Sequence, residues 1–295
     1  MLTLITTTLL SFIFMNFENK TTYIEVKDFS VSGKSFSLLM DEELELLKTI
    51  PQPSLLDLPS YYESEDYISH TDHSRSLFEK MYQIVKRSAI KKKVNLLTKY
   101  SIKGKILDIG AGTGDFLVEA KNKNWDVLGF EPNEKARKLA LEKGIKFTDE
   151  LENLESNQFD VITMWHVLEH IPNLEYQIEE LKRLLKPNGI LFIAVPNFKS
   201  YDAKYYAAFW AAYDVPRHLW HFSKKAIELL FQKQNIKLFH VKPMWFDSFY
   251  VAMLSEKYKT GKMNFIKGFF IGFVSNCKGI ANNEYSSHIY ILKNQ

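Results

Sequence analysis

A chain of 295 residues, 46% hydrophobic and 25% charged, can bury one large core plus an accessory segment and is too apolar for a disordered protein. Its formal net charge of +3 is too small to mark a nucleic-acid or membrane partner by itself. A single cysteine, Cys277, excludes a disulfide framework, suits a reducing, cytoplasmic location and reads as a packed small hydrophobe.

The first residues, Met1 to Met15, are apolar and Thr-rich. They lack a basic leader and a small-residue cleavage site and are too short to span a bilayer, so Met15 is the expected natural start. From there to about Pro59, alternation such as Tyr23-Ile24-Glu25-Val26 and the Pro51-Gln52-Pro53 punctuation indicate a small accessory region. The expected division is an accessory region over 1–73 and a main domain over 74–295. A helix is expected from Ser74 to Tyr100, with the basic residues Lys86, Arg87 and Lys91 to Lys93 on a solvated face.

Beyond Gly104 strand and helix patterns alternate, as in a parallel sheet covered by helices on both faces. Strands are expected at Lys105 to Ile109, Asp126 to Phe130, Ile145 to Phe147, Phe159 to Met164, Ile190 to Val195, Ile236 to Val241 and His288 to Leu292. Helices are expected over Asp115 to Lys123, Asn133 to Lys143 and Leu174 to Leu185, with a further one after the N-cap Ser223. The fold class is therefore α/β, with a Rossmann-like, seven-stranded, mostly parallel sheet. The segment 243–287 is too long for a hairpin connection and carries many large apolar residues, Phe269 and Phe270 among them. A helical insertion over the acceptor side is expected there, or a contribution to core or dimer interface. Gly268 and Gly272 form a G-x-x-x-G, but the apolar run is too short to cross a bilayer.

The chemistry concentrates at Asp108-Ile109-Gly110-Ala111-Gly112-Thr113-Gly114-Asp115, between a strand and a helix. Glycines there let a ligand approach the backbone. The spacing is G-x-G-x-G, whereas a dinucleotide fingerprint needs its third glycine where Asp115 stands. No lysine or arginine lies between Ile106 and Ala120 to meet a phosphate. A cationic, phosphate-free ligand such as S-adenosylmethionine (SAM) suits carboxylates at Asp108 and at Glu131, which ends the second strand in position to accept ribose hydroxyls.

Three segments carry a family resemblance: Leu107 to Asp115 (LDIGAGTGD), Phe159 to Ile171 (FDVITMWHVLEHI) and Leu184 to Pro196 (LLKPNGILFIAVP). In these the chain resembles class I SAM-dependent methyltransferases, of the ubiquinone/menaquinone type. The resemblance implies SAM as cofactor, with Asp108, Gly110, Ala111, Gly112 and Gly114 around its methionine part and Glu131 on the ribose. It also implies Asp149 near the adenine, and Trp165 and His166 as further cofactor contacts. The Asp214 to Ser223 stretch resembles the D-x-P-x-H-x-x-H-F-S found near the acceptor pocket of some relatives. His218, and after it His221, are the candidate catalytic residues; helix capping is the competing reading for both. His166-Val167-Leu168-Glu169-His170 matches H-x-x-E-H, a zinc pattern, but no third ligand is legible and Pro172 cuts the helix short. No metal is expected, and Glu169 and His170 read as structural. Thr49 to Pro53 resembles a turn that follows a Cys-x-x-Cys pair in relatives, and here that pair is missing.

The expected activity is methyl transfer from SAM to a small or lipid-linked acceptor, by O- or C-methylation, with peripheral membrane contact possible. Residues 164–167 lack the Asn/Asp-Pro-Pro-Tyr/Phe motif of base-amine methylation, so no DNA partner is expected. A SAM-binding regulator without catalysis and an NAD-dependent oxidoreductase are the alternatives.

Overall fold

The structure, a computed structural model, describes residues 17, 20–62 and 77–295, with side chains of the first helix described from residue 85. The expectations for Met1 to Met15 fall outside the described residues. Strands β1 (Thr21–Lys27), β2 (Ser35–Asp41) and β3 (Leu46–Ile50) form an antiparallel meander. Helix α1 (Leu77–Tyr100) leads into the alternating part: β4 (Lys105–Ile109), α2 (Asp115–Asn122), β5 (Asp126–Phe130), α3 (Glu134–Glu142), β6 (Phe159–Trp165), α4 (Leu174–Leu184) and β7 (Leu185–Pro196). After these come α5 (Tyr201–Tyr206), β8 (Trp220–Phe222), α6 (Lys224–Gln232), β9 (Ile236–Pro243), α7 (Asp247–Thr260), α8 (Phe265–Asn282) and β10 (Ser287–Asn294).

The main sheet runs β5-β4-β6-β7-β10-β9, parallel from β5 to β7, with β10 antiparallel to both neighbours. It has six strands and is mixed, which corrects the expected seven-stranded sheet. The missing strand is Ile145 to Phe147, which makes only one parallel bridge, Phe147 to Gly129. Gly144, at φ +74°, precedes it, and the Thr148 hydroxyl donates to the Glu150 carbonyl just after it, so the ends of the segment turn away from the sheet edge. Period-two alternation within buried strands separates the two core layers. Leu107, Ile162 and Ile193 pack with α4 and α6 on one face, and Ile106, Val161 and Phe192 with α1 and α2 on the other. Each fully buried side chain of this kind contributes about 1.5–3 kcal/mol.

A second sheet, β1-β2-β3-β8, draws its last strand from the segment after α5. β3 pairs with β8 at Leu46–Phe222, Leu47–His221 and Lys48–Trp220, which ties the accessory region to the middle of the chain. The insertion is helical, as its length and composition predict. α7 and α8 pack closely because Gly268 and Gly272 present no side chain: a Cβ there would lie 2.7 Å from the Met253 Cα and 2.8 Å from the Phe249 Cα. The G-x-x-x-G thus serves helix pairing. Cys277 is exposed on α8 rather than packed, because the inward face there is formed by Ser275, Asn276 and Gly279.

Candidate active site

β4 lies between β5 and β6, so the chain leaves β4 toward one side of the sheet and later returns to the other. The crevice at the carboxyl ends of these strands is where open α/β sheets bind ligands. The glycine loop occupies that place. Gly110, Gly112 and Gly114 all have positive φ, at +73°, +53° and +77°. A Cβ on Gly110 would stand 2.4 Å from Val167 Cγ2, while one on Gly112 would meet nothing within 4 Å. Gly110 is therefore needed for packing, and Gly112 borders open space.

The loop amides are already engaged. Gly110 N–H and Ala111 N–H donate to the Phe130 carbonyl at 2.8 and 3.1 Å, and Gly112 N–H donates to Glu131 Oε2 at 2.8 Å. A phosphate cradle instead aims such amides at its ligand. Glu131 Oε1 also accepts from Asn133 N–H at 2.8 Å, so the carboxylate is fixed at the tip of β5 with further lone pairs available.

Asp108 is buried at the end of β4, where its Oδ1 accepts from Thr163 Oγ1 at 2.5 Å. Burial pushes its pKa up to about 7, against the pull of Thr163 and Lys93. A carboxyl so destabilised as an anion favours a cationic neighbour. Lys93, from the run expected to be solvated, turns inward over the Trp165 ring at 4.4 Å, while Lys91 and Lys92 stay exposed. Burial lowers its pKa, and Asp247 and Asp108 favour its charge. Two carboxylates and an aromatic face thus surround the Lys93 cation, an acceptor lining of the kind that also favours the positive charge of a sulfonium. Trp165 Nε1 is buried without a partner among the described residues.

His166 follows β6 at φ +59°; its Nε2 lies 3.1 Å from Asp247 Oδ2 and its Nδ1 3.4 Å from Glu169 Oε1. Burial alone would lower its pKa, but Asp247 and Glu169 raise it to about 9, so it is a cation at neutral pH. Lys93 and Asp247 were not legible as site residues. Asp247 stands in the first turn of α7, some eighty residues from His166, and only the fold brings the two together.

Asp149 lies apart from this group, with its side chain 89% exposed and paired to Arg137 Nη1 at 2.9 Å. His218 and His221 are both buried. Thr49 Oγ1 donates to the His218 carbonyl at 2.6 Å and lies 3.1 Å from His221 Nε2. Burial drives the His221 pKa well below its usual value. The His170 and His218 rings meet edge to face with centroids 4.6 Å apart, and burial lowers the His170 pKa to about 4. The site residues therefore form two groups: Asp108, Glu131, Trp165 and His166 around the glycine loop, and the histidines behind them, joined through Glu169.

Comparisons agree with this geometry. A family model described as "Methyltransferase domain" matches residues 82–241. The ubiquinone biosynthesis O-methyltransferase of Actinobacillus pleuropneumoniae serotype 5b (strain L20) is 32% identical over 183 residues, covering 51% of this chain and 78% of that protein. Among solved structures, the cyclopropane synthase MmaA2 from Mycobacterium tuberculosis superposes with a TM-score of 0.52 at 14% identity, covering 83% of this chain and 100% of that one. The Haemonchus contortus phosphoethanolamine N-methyltransferase 2 in complex with S-adenosyl-L-methionine gives 0.51 at 16% identity, covering 92% and 71%. At such identities the two structures bear on the fold alone. The family match and the curated relative, together with a glycine loop built for a phosphate-free cation, show that the chain belongs to the methyltransferase-domain family as a class I enzyme that uses S-adenosylmethionine.

Proposed function

We propose that this enzyme methylates an oxygen of a small acceptor with a large apolar part, presented at a membrane or lipid surface. The observation that carries the apolar part is the outer face of α8. Phe265, Ile266, Phe269, Phe270 and Phe273 are all exposed along one side of that helix, and Trp245, Phe246 and Tyr250 are exposed nearby. An apolar patch of this kind on a water-facing helix marks a lipid or ligand contact. No helix among the described residues is long and apolar enough to cross a membrane, so the reading is of surface contact. Relatives named as ubiquinone biosynthesis O-methyltransferases favour oxygen as the acceptor atom.

SAM, when bound, supplies an activated methyl group, and its transfer to the acceptor oxygen leaves S-adenosylhomocysteine (SAH) as the acceptor hydroxyl gives up its proton. The residues of this chain then have four tasks. Gly112 allows the ligand to approach the loop, and Glu131 accepts the ribose hydroxyls. Asp108 and the Trp165 ring favour positive charge. His166, held by Asp247 and Glu169, gives the cofactor a fixed contact after β6. Orientation and exclusion of water supply most of the acceleration in such a displacement. His218 is the residue proposed to act on the acceptor proton, with His221 more remote behind Thr49.

Two expected results test these assignments. His218→Ala should lower SAH release about a hundredfold while SAM affinity by calorimetry stays within a factor of about two. Loss of SAM binding together with turnover would assign His218 to structure alone. Phe269→Asp with Phe270→Asp should abolish co-sedimentation with liposomes and reduce activity on detergent-solubilised membrane extracts about tenfold or more, with SAM binding and melting temperature unchanged. A folded double variant that keeps both properties would contradict the apolar acceptor.

A further inference from the structure

Helix α8 is turned the opposite way from an ordinary surface helix. Its inward face consists mainly of small or polar residues, Gly268, Gly272, Ser275, Asn276 and Gly279, with Ile271 as the large apolar side chain among them. Its largest apolar side chains meet water instead: Phe265, Ile266, Phe269, Phe270, Phe273 and Ile280 are between 50% and 86% exposed. α5 and α7 hold the helix from its inward side, through the Ser275–Asp202 hydrogen bond at 2.6 Å and the close approach at Gly268 and Gly272. Scattered apolar residues are ordinary on a protein surface, whereas a contiguous group of this size marks a contact with something outside the chain.

The spacing says what kind of contact it is. Ile266, Phe270, Phe273, Cys277 and Ile280 recur at steps of four, three, four and three residues, and all are exposed. At 100° per residue they fall within about 80° of the helix circumference. A narrow seam with a period of 3.5 is the pattern by which one helix packs along another. The six exposed phenylalanine and isoleucine side chains, at roughly 100 Å² each left in water, offer about 600 Å². Specific interfaces bury about 600–1,000 Å² on each partner, so one such face laid on another reaches that range. No acidic residue lies on α8, and Lys267 is bound at 3.0 Å by Glu256, so little charge opposes self-pairing. α8 is already ordered by its packing on α7, and pairing therefore carries no cost of helix nucleation.

We propose that in water a second copy of this chain covers the face, α8 packing along α8 of the partner through the seam centred on Phe273. A two-fold pair uses the same patch twice and needs no other complementary surface. The face cannot meet lipid while it is paired, so pairing regulates the surface contact proposed above: the chain is a dimer in water and a monomer on lipid. That regulatory part rests on the reading of an acceptor presented at a lipid surface; the pairing does not.

The test is sedimentation equilibrium of the full chain without detergent, from about 1 to about 100 µM. The expected result is a reversible monomer–dimer equilibrium, weakened at least about thirtyfold by Phe273→Glu and by Ile280→Glu with SAM binding kept. Ile102→Glu, at an exposed apolar residue outside α8, should associate as the parent does. Mixing Phe273→Glu with Phe273→Lys chains should restore dimers, which a folding defect in either variant would not allow. With phosphatidylcholine–phosphatidylglycerol vesicles in fixed excess, the fraction of chain sedimented should fall several-fold as protein is raised through the dimer Kd. A monomer at every concentration overturns the pairing and leaves the surface contact standing. A dimer indifferent to Phe273→Glu and Ile280→Glu overturns the seam. Seam-dependent dimers with vesicle binding independent of protein concentration overturn the regulation. A seam-dependent dimer that never binds vesicles supports the pairing and contradicts the surface contact.

Discussion

Gly112→Val should abolish SAM binding while leaving the enzyme folded. The position has φ +53° and open space where its side chain would go. The left-handed backbone costs a non-glycine residue about 1–2 kcal/mol, which a domain of this size survives. The added isopropyl group would then occupy the space facing the ligand, and affinity should fall at least about a hundredfold, roughly 2.7 kcal/mol. Gly110→Val provides the contrast. Its Cβ would lie 2.4 Å from Val167, so that variant should lose the fold itself. Calorimetry with SAH and a thermal melt on both variants separate the two effects. Unchanged affinity in a folded Gly112→Val protein would place the ligand elsewhere.

Asp108→Asn should move stability and affinity in opposite directions. Burial raises the Asp108 carboxyl to about 7 in the folded protein, from an ordinary value of 3.8. Between these values the folded chain holds a proton that the unfolded chain has released. Stability of the ligand-free enzyme therefore falls as pH rises from about 4 to about 7, and the penalty persists above 7. Asparagine removes the charge and still accepts from Thr163, so the variant should melt higher than the parent at pH 8 and no higher at pH 4. SAM is favoured by the carboxylate form, so the parent's affinity should rise with pH by up to about tenfold per unit below 7 and level off above it. In the variant that slope should vanish, with affinity at pH 8 lower by about tenfold or more. A variant that melts lower at pH 8 and retains the parent's pH-dependent affinity would show that Asp108 is not destabilised by burial.

Much of the cofactor side was legible because it depends on local chemistry. The glycine spacing, the missing phosphate-binding cations and an acid at the strand end are all sequence features, and the loop geometry follows from them. The strands from β4 to β7 were also legible, since buried parallel strands read as short apolar runs between turn signals. The segment Ile145 to Phe147 looked the same over three residues, but its flanking turns leave room for one bridge only. Lys93 and Asp247 were hidden for another reason. A lysine in a basic run is ordinarily solvated, and its inward turn depends on a tryptophan ring and two acids from distant segments. Part of the surroundings of His218 was hidden too: the Ala212 carbonyl and Asp214 are local, but Glu169 and His170 lie some fifty residues earlier, and the link between the turn after β6 and β8 brings them within reach.

The account depends most on the cofactor occupying the crevice between the glycine loop and Glu131. Titration of the enzyme with SAH, and separately with NAD, tests this directly. One SAH should bind per chain and NAD should not, and Glu131→Ala should weaken SAH by about 1.5–3 kcal/mol, the worth of hydrogen bonds to a charged group. NAD binding in preference to SAH, or SAH binding indifferent to Glu131→Ala, would contradict it.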